Sequence, residues 1–386
     1  MTGTKGYATT ELDFNNYWSA VENGTPVLTS FYNGNIVDVS DVVRADTSWY
    51  DTTANKTFVI DTKEAFYGFQ KLSVSGTTFE TQTIELGTDI SLNVNDGSAS
   101  TWGEEAPANA WTAIGNWNSQ FKGTFDGKGH TIKGLYSVTN GQYSGLFGVT
   151  GVGSMVKNVR LENSYFENNG TTAMMGSIVG RALGDVHTVY SDAIMVSTGS
   201  IVGGIVGHIW TNSVNITNCW FDGSITMSGQ NGVWAGGILG ELRAANTTAT
   251  LIACLNTGAL ETSATTTQWQ SVGGLVGYVN QANAKLVIKD SMNTATIINN
   301  NSKAGSVAST VGLAGANNVA TVIDITNTYV ADENARKIDG FTAVVYNNKE
   351  IIEFTAEMEG TVATLNASGD YWLAVANGTP ILKSFQ

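Results

Sequence analysis

Two short apolar phrases alternate along this chain, each bounded by small or polar residues. The first reads Gly203-Gly-Ile-Val-Gly207. It recurs as Ser144-Gly-Leu-Phe-Gly148, Gly176-Ser-Ile-Val-Gly180, Gly236-Gly-Ile-Leu-Gly240 and Gly273-Gly-Leu-Val-Gly277, with a degraded Val311-Gly-Leu-Ala-Gly315. The second is cleanest in Ile216-Thr-Asn-Cys-Trp-Phe221 and Ile325-Thr-Asn-Thr-Tyr-Val330, and it begins at Val156, Val186, Ile216, Leu251, Ile288 and Ile325. These starts are 30, 30, 35, 37 and 37 residues apart. A period of this size predicts stacked supersecondary units, and it is too short for a propeller blade of ~40 residues or more.

A glycine-flanked aliphatic pair is too short for a helix and suits a buried strand that bends sharply at its ends. Glycine supplies positive φ at a corner and lets the next layer approach closely. In the second phrase the first slot is always Val, Ile or Leu, and the fourth is always small and uncharged. A bend at the third slot (Asn158, Asn218, Asn327) would turn both inward. Each repeat then forms one coil, or two smaller ones, that buries its core only by stacking on its neighbours through parallel hydrogen bonds.

The flanks read differently. Asp61-Thr-Lys-Glu64 is a capping-box-like start, followed by Ala65, Phe66, Phe69 and Leu72 on one helical face, with Gly76 closing. Thr83-Ile-Glu-Leu86 and Asp89-Ile-Ser-Leu92 alternate as strands. Residues 341–365 are strand-like and then helical. Phe14-Asn-Asn-Tyr-Trp-Ser-Ala-Val-Glu-Asn-Gly-Thr-Pro-Val-Leu-Thr-Ser-Phe31 reappears as Gly369 to Phe385 at an offset of 354, aligning Trp18 with Trp372. The expected organisation is a terminal motif over residues 1–33, a helix-containing N-terminal cap over 34–120, repeats over 121–335 and a C-terminal cap over 336–386. The duplicated motif marks either the end of a preceding unit or a docking segment.

Only 13% of residues are charged, which suits strands joined by Gly-, Asn-, Thr- and Ser-rich turns. The net charge of −14 argues against nucleic acid and anionic membrane surfaces, since no Lys/Arg cluster is present. No apolar run approaches the ~20 residues that span a bilayer, so membrane insertion is not expected. Cys219 and Cys254 both occupy slot four of the second phrase and are expected as a buried ladder of free thiols. Without His or further Cys at ligand spacing, no metal site or cofactor follows.

The Gly-Leu/Ile-x-Gly phrases, the opening Phe121-x-Gly-x-Phe-Asp-Gly-x-Gly-His130 and the Trp372…Gly-x-Pro-x-Leu382 ending resemble bacterial GLUG-motif proteins over roughly residues 58–386. The resemblance implies a right-handed parallel β-helix on secreted or surface-attached proteins. The motif also occurs upstream of some bacterial IgA-cleaving metallopeptidases. It is structural, and it implies no catalytic residues here.

The expected function is therefore an extracellular structural or adhesive β-solenoid module of a bacterial surface or secreted protein. Its expected partners are other copies of itself, or neighbouring domains, in head-to-tail filaments or tandem arrays. The structural residues are Gly148, Gly180, Gly207, Gly240, Gly277, Gly315, Cys219, Cys254, Trp18 and Trp372. The alternative is a carbohydrate-binding or polysaccharide-degrading β-helix. Tryptophans 210, 220, 234 and 269 lie in or beside the repeats, and Trp220 and Trp234 are the candidate glycan contacts. Glu162, Glu167, Arg181, Asp185, Asp192, Asp222, Glu241 and Arg243 are candidate polar groups on the coils. Asp192 and Asp222 lie one repeat apart, where stacked carboxylates at ~5–9 Å could serve glycosidic chemistry. His130 sits near Asp126 in a turn, and His187 and His208 read as surface positions. No His-Glu-x-x-His, Gly-x-Ser-x-Gly or phosphate-loop motif is present, so no catalytic residue is assigned.

Overall fold

The computed structural model describes residues 43–93, 99–199, 201–229, 232–262, 270–300, 307–314, 320–331, 338–340, 344–354, 361–375 and 379–385, together with the short strands Trp18–Ser19 and Val27–Leu28. Gly315 and Trp269 lie outside the described residues.

Each repeat makes one coil of a parallel β-helix. In one coil the strands are Ile201–Gly203, Val206–Ile209, Val214–Phe221 and Ser224–Met227. Every one pairs in parallel with its counterpart in the next coil. The second-phrase starts Val156, Val186, Ile216, Leu251, Ile288 and Ile325 form one unbroken register column. In the first phrase the Ile205 amide donates to the Ile238 carbonyl at 3.2 Å and the Ile238 amide to the Leu275 carbonyl at 3.0 Å. All three side chains are fully buried. Each such side chain contributes ~1.5–3 kcal/mol by leaving water, but only because the coils above and below close over it. The parallel ladder starts upstream of the repeats: Thr57–Ile60 pairs with Thr83–Leu86, which pairs in turn with Thr124–Asp126.

Of the two roles expected of the phrase-closing glycines, the structure shows one. None of Gly148, Gly180, Gly207, Gly240 or Gly277 has positive φ; their requirement is close approach. A Cβ on Gly207 would sit 2.5 Å from the Gly180 carbonyl oxygen and 2.7 Å from that of Met175. Positive φ falls instead on slot three of the second phrase in all six copies: Asn158, Thr188, Asn218, Ala253, Asp290 and Asn327, at 47–55°. This left-handed residue lets slots one and four both face inward. Cys219 and Cys254 are accordingly buried, free thiols, with burial pushing Cys254 up to about 12 and Cys219 well above the usual thiol range.

At the N-terminal end, helix Lys63–Val74 covers the stack. Its N-cap is Thr62, one residue later than a box from Asp61 to Glu64 implies, with the Thr62 hydroxyl accepting from the Ala65 amide at 3.1 Å. The helix sets Phe66 and Phe69 onto Trp111, Phe121, Phe125 and Phe147, an aromatic plug in which Phe69 stacks on Phe125 at 5.9 Å. At the other end Val344–Glu353 adds a final parallel rung. The described residues after it turn back along the flank. There helix Thr361–Leu365 and the hairpin of Trp372–Leu373 with Ile381–Leu382 pack beside Ala253, Leu255, Met292 and Tyr329. The C-terminal segment is thus a side clasp, because an uninterrupted column of large outward residues offers it more apolar surface than the charged last strand does.

Candidate functional site

The position after each phrase-closing glycine generates a second column beside the core. Arg181, His208, Glu241 and Tyr278 stand in consecutive register there. Although it belongs to a coil exterior, His208 is 1% exposed, as is Glu241, and Arg181 is 2% exposed. The expectation of a surface His208 is therefore corrected. Aromatic residues from elsewhere roof the column. The rings of Trp117 and Trp210 flank the Arg181 guanidinium at 4.3 and 4.2 Å, and Arg181 Nη1 donates to the Tyr143 hydroxyl at 3.0 Å. Trp234 stacks on Tyr278 with centroids 5.3 Å apart. The two outer indoles, Trp117 and Trp210, remain nearly half exposed.

The electrostatics follow from the enclosure. Burial, aided by Arg181 and Arg243, drives His208 down to about 3. Burial also drives Glu241 up to about 7 against the pull of Arg243. His208 Nε2 and Glu241 Oε2 lie 3.4 Å apart, without hydrogen-bond geometry, and Arg181 Nε has no hydrogen-bond partner among the described residues. Each unbonded buried polar group costs ~1–3 kcal/mol. Cation–π contacts offset part of this at Arg181, so the column is held together against its own desolvation.

The other candidate carboxylates are bonded to scaffold groups, Glu162, Glu167 and Asp185 on strands and Asp192 and Asp222 in the links after them. Asp192 and Asp222 do follow consecutive rungs, Ser191 over Phe221. Asp192 accepts from the Asn163 amide at 2.7 Å, while Asp222 accepts from the hydroxyls of Tyr190 and Thr257. Burial, Glu162 and Asp222 raise Asp192 to about 6. Glu162 pairs with Arg160 and Lys133, Glu167 accepts from Tyr165 and Asn169, and Asp185 accepts from Asn215. His130 faces Asp89 at 3.2 Å, whereas Asp126 accepts from the Lys128 amide and from Asn158. His187 lies 3.8 Å from Asp185 and is partly exposed. Among the described residues, no group of three or more His, Cys, Asp or Glu side chains is placed to hold a metal ion.

The two candidate aromatic contacts, Trp220 and Trp234, separate. Trp220 points outward, but the clasp covers it: its ring packs against Tyr190 and Phe385, and its indole donates to Thr257 at 2.8 Å. Trp234 has one face taken by Tyr278. The exposed platform belongs to Trp210 and to Trp117. Trp117 comes from the N-terminal region, so only the fold brings it to Arg181.

No family model matches the chain. Over 80 residues, 20% of the chain, it is 35% identical to a protein of Evansella cellulosilytica named "Putative Gly-rich membrane protein". The match spans 9% of that relative's length. Among solved structures, one titled "putative immunoglobulin A1 protease" from Bacteroides ovatus superposes with a TM-score of 0.55, covering 86% of this chain and 95% of its own, at 17% identity. That likeness is one of fold. Stacked parallel sheets, one coil per repeat, and this neighbour together place the chain in the class of parallel β-helix proteins. No helix among the described residues is long and apolar enough to cross a membrane.

Proposed function

We propose that this chain is a structural and adhesive β-solenoid module of the GLUG-motif kind, belonging to a larger bacterial surface-attached or secreted protein. One observation carries the reading: the candidate acids and bases have partners within the scaffold, either sealed in the Arg181–His208–Glu241 column or held by hydrogen bonds and ion pairs to neighbouring strands and links. An enzyme would need two such groups open to one substrate. The long parallel ladder suits a rigid spacer or display surface, and the relative's name as a membrane protein fits attachment of a longer polypeptide. A panel of acidic and neutral polysaccharides with a reducing-end assay tests this; sustained release of new ends would replace the scaffold reading with an enzymatic one.

A second reading, glycan contact, is favoured by the exposed indoles of Trp117 and Trp210 on either side of Arg181. Flat apolar rings suit the CH faces of sugars, and a net charge of −14 disfavours anionic glycans in favour of neutral ones. Retention on immobilised neutral glycans should be lost in a Trp117→Ala/Trp210→Ala variant and kept in Trp220→Ala. Equal retention by both variants would reject the platform.

A further inference from the structure

The fifth slot of the second phrase faces outward and forms a continuous column: Arg160, Tyr190, Trp220, Leu255, Met292 and Tyr329. Five steps of ~4.8 Å make it roughly 24 Å long. The C-terminal clasp lies along it. Trp372 is fully buried, with its indole donating to the Asp290 carbonyl at 3.0 Å. Asn218 donates to the Ser384 hydroxyl at 2.7 Å, and Arg160 donates to the Phe385 carbonyl at 3.3 Å. Leu382 and Phe385 complete the apolar contact.

The chain carries the sequence of this hairpin twice. Trp372 pairs with Leu382 and Leu373 with Ile381 in the docked hairpin. Trp18 pairs with Leu28 and Ser19 with Val27 in the N-terminal one, the same antiparallel register at the 354-residue offset. Of the side chains that dock, Trp372, Leu382, Ser384 and Phe385 have identical counterparts in Trp18, Leu28, Ser30 and Phe31, whereas Leu365 of the preceding helix becomes Glu11. Three of the differing positions brace the C-terminal hairpin internally, while Ser19, Glu22 and Val27 replace Leu373, Ala376 and Ile381. Asn366, which bonds both the amide and the carbonyl of Trp372, becomes Leu12. The Asp370–Lys383 ion pair becomes Asn16 and Thr29. In sequence, the hairpin residues that dock are kept, and those of the brace and of the preceding helix are not.

We propose that residues 15–31 are a second clasp, whose binding site is the slot-five flank of another copy of this solenoid. In every copy that flank is filled by its own clasp around Trp372, so the N-terminal segment of another copy enters by exchange with it. Assembly then runs through the sides of the coils and leaves their ends out. This goes beyond the scaffold reading and does not depend on glycan contact.

The first test uses the full chain with Trp372→Ala and Phe385→Ala to loosen its own clasp, and a fluorescent peptide of residues 12–33. Anisotropy should show the peptide binding this variant at least tenfold more tightly than the unaltered chain. A peptide of residues 366–385 should compete, and Trp18→Ala in the probe should abolish binding. Binding of the 366–385 peptide without binding of 12–33, or binding of 12–33 that 366–385 does not displace, overturns the proposal. A second test does not rely on that variant folding: residues 369–385 of the full chain are replaced by a copy of residues 15–31, or by the same residues scrambled. The copied clasp should keep the melting temperature within a few degrees of the unaltered chain while the scrambled one lowers it. Equal loss in both overturns the assignment.

Discussion

His208 Nε2 lies 3.4 Å from Glu241 Oε2, with each residue 1% exposed. Both groups are pushed toward neutrality, His208 down to about 3 and Glu241 up to about 7. The depressed His208 contributes stability that is present above 6.5 and lost as pH falls toward 3. The raised Glu241 contributes stability that is present below 4.5 and lost as pH rises through about 7. Between pH 4.5 and 6.5 the two slopes oppose. The unfolded chain holds one proton, on the imidazole, and the folded chain holds one, on the carboxyl. The pair should therefore leave stability flat in that window. Glu241→Gln should uncover the His208 slope, with stability falling on acidification by up to ~1.4 kcal/mol per pH unit. His208→Gln should uncover the opposite slope. Urea midpoints at pH 4.5, 5.5 and 6.5 decide it; three parallel pH dependences would mean the pair does not exchange its proton in this way.

Gly207 separates steric demand from backbone strain. Its added Cβ would meet two carbonyl oxygens, those of Gly180 and Met175, and neither can move without parting the coils. Gly153 has φ +79° and open space around its Cβ position, so Ala there costs only the left-handed conformation, ~1 kcal/mol. Gly207→Ala should cost about 3 kcal/mol or more. Comparable losses in the two variants, measured by chemical denaturation, would remove close approach as the reason for the phrase-closing glycines.

Thr188 is a β-branched residue at φ 53°, in the slot where its neighbours on either side are Asn158 and Asn218. The left-handed region disfavours Thr and tolerates Asn. The Thr188 hydroxyl accepts from Asn218 at 3.1 Å, and an Asn carbonyl oxygen can take over that role. Thr188→Asn is expected to raise stability by about 1 kcal/mol, whereas Thr188→Val, which keeps the strain and loses the acceptor, should lower it. A stabilising Val would show that the inter-coil bond matters less than packing at this slot.

These contrasts mark what the sequence alone could convey. The Ile205–Ile238–Leu275 column and the buried slots at Ile216 and Cys219 were legible because every coil repeats the same local demand. The inward turn at Asn218 could be read from the asparagines in three of its six slots. The reason for Gly207 could not, since close approach and positive φ both select glycine. The burial of His208 depends on Trp117, which the chain supplies ninety-one residues upstream, and no periodicity announces it. The flank clasp is similar: Asn218 meets Ser384 across 166 residues. Trp220 read correctly as outward but not as covered, because its cover belongs to the far terminus. The misses at His208, Trp220 and the clasp are contacts between a repeat and a segment outside the repeats, where slot averages carry no information.

Asp192 offers the most direct separation of a scaffold carboxylate from a catalytic one. Burial, Glu162 and Asp222 raise it to about 6. A raised acid contributes stability below its ordinary value of 3.8 and loses it as pH climbs through about 6, so at pH 7.5 its charge is carried at a cost. Asp192→Asn removes that charge and keeps an oxygen to accept from the Asn163 amide. The variant should be more stable than the unaltered chain at pH 7.5, by on the order of 1 kcal/mol, with the gain fading below pH 4. A carboxylate kept for chemistry would be expected to trade that gain for lost function, whereas a turn residue surrenders nothing. Paired thermal melts and reducing-end assays on both chains separate the two: a gain in stability accompanied by loss of a measurable activity would move Asp192 from the scaffold to an active site.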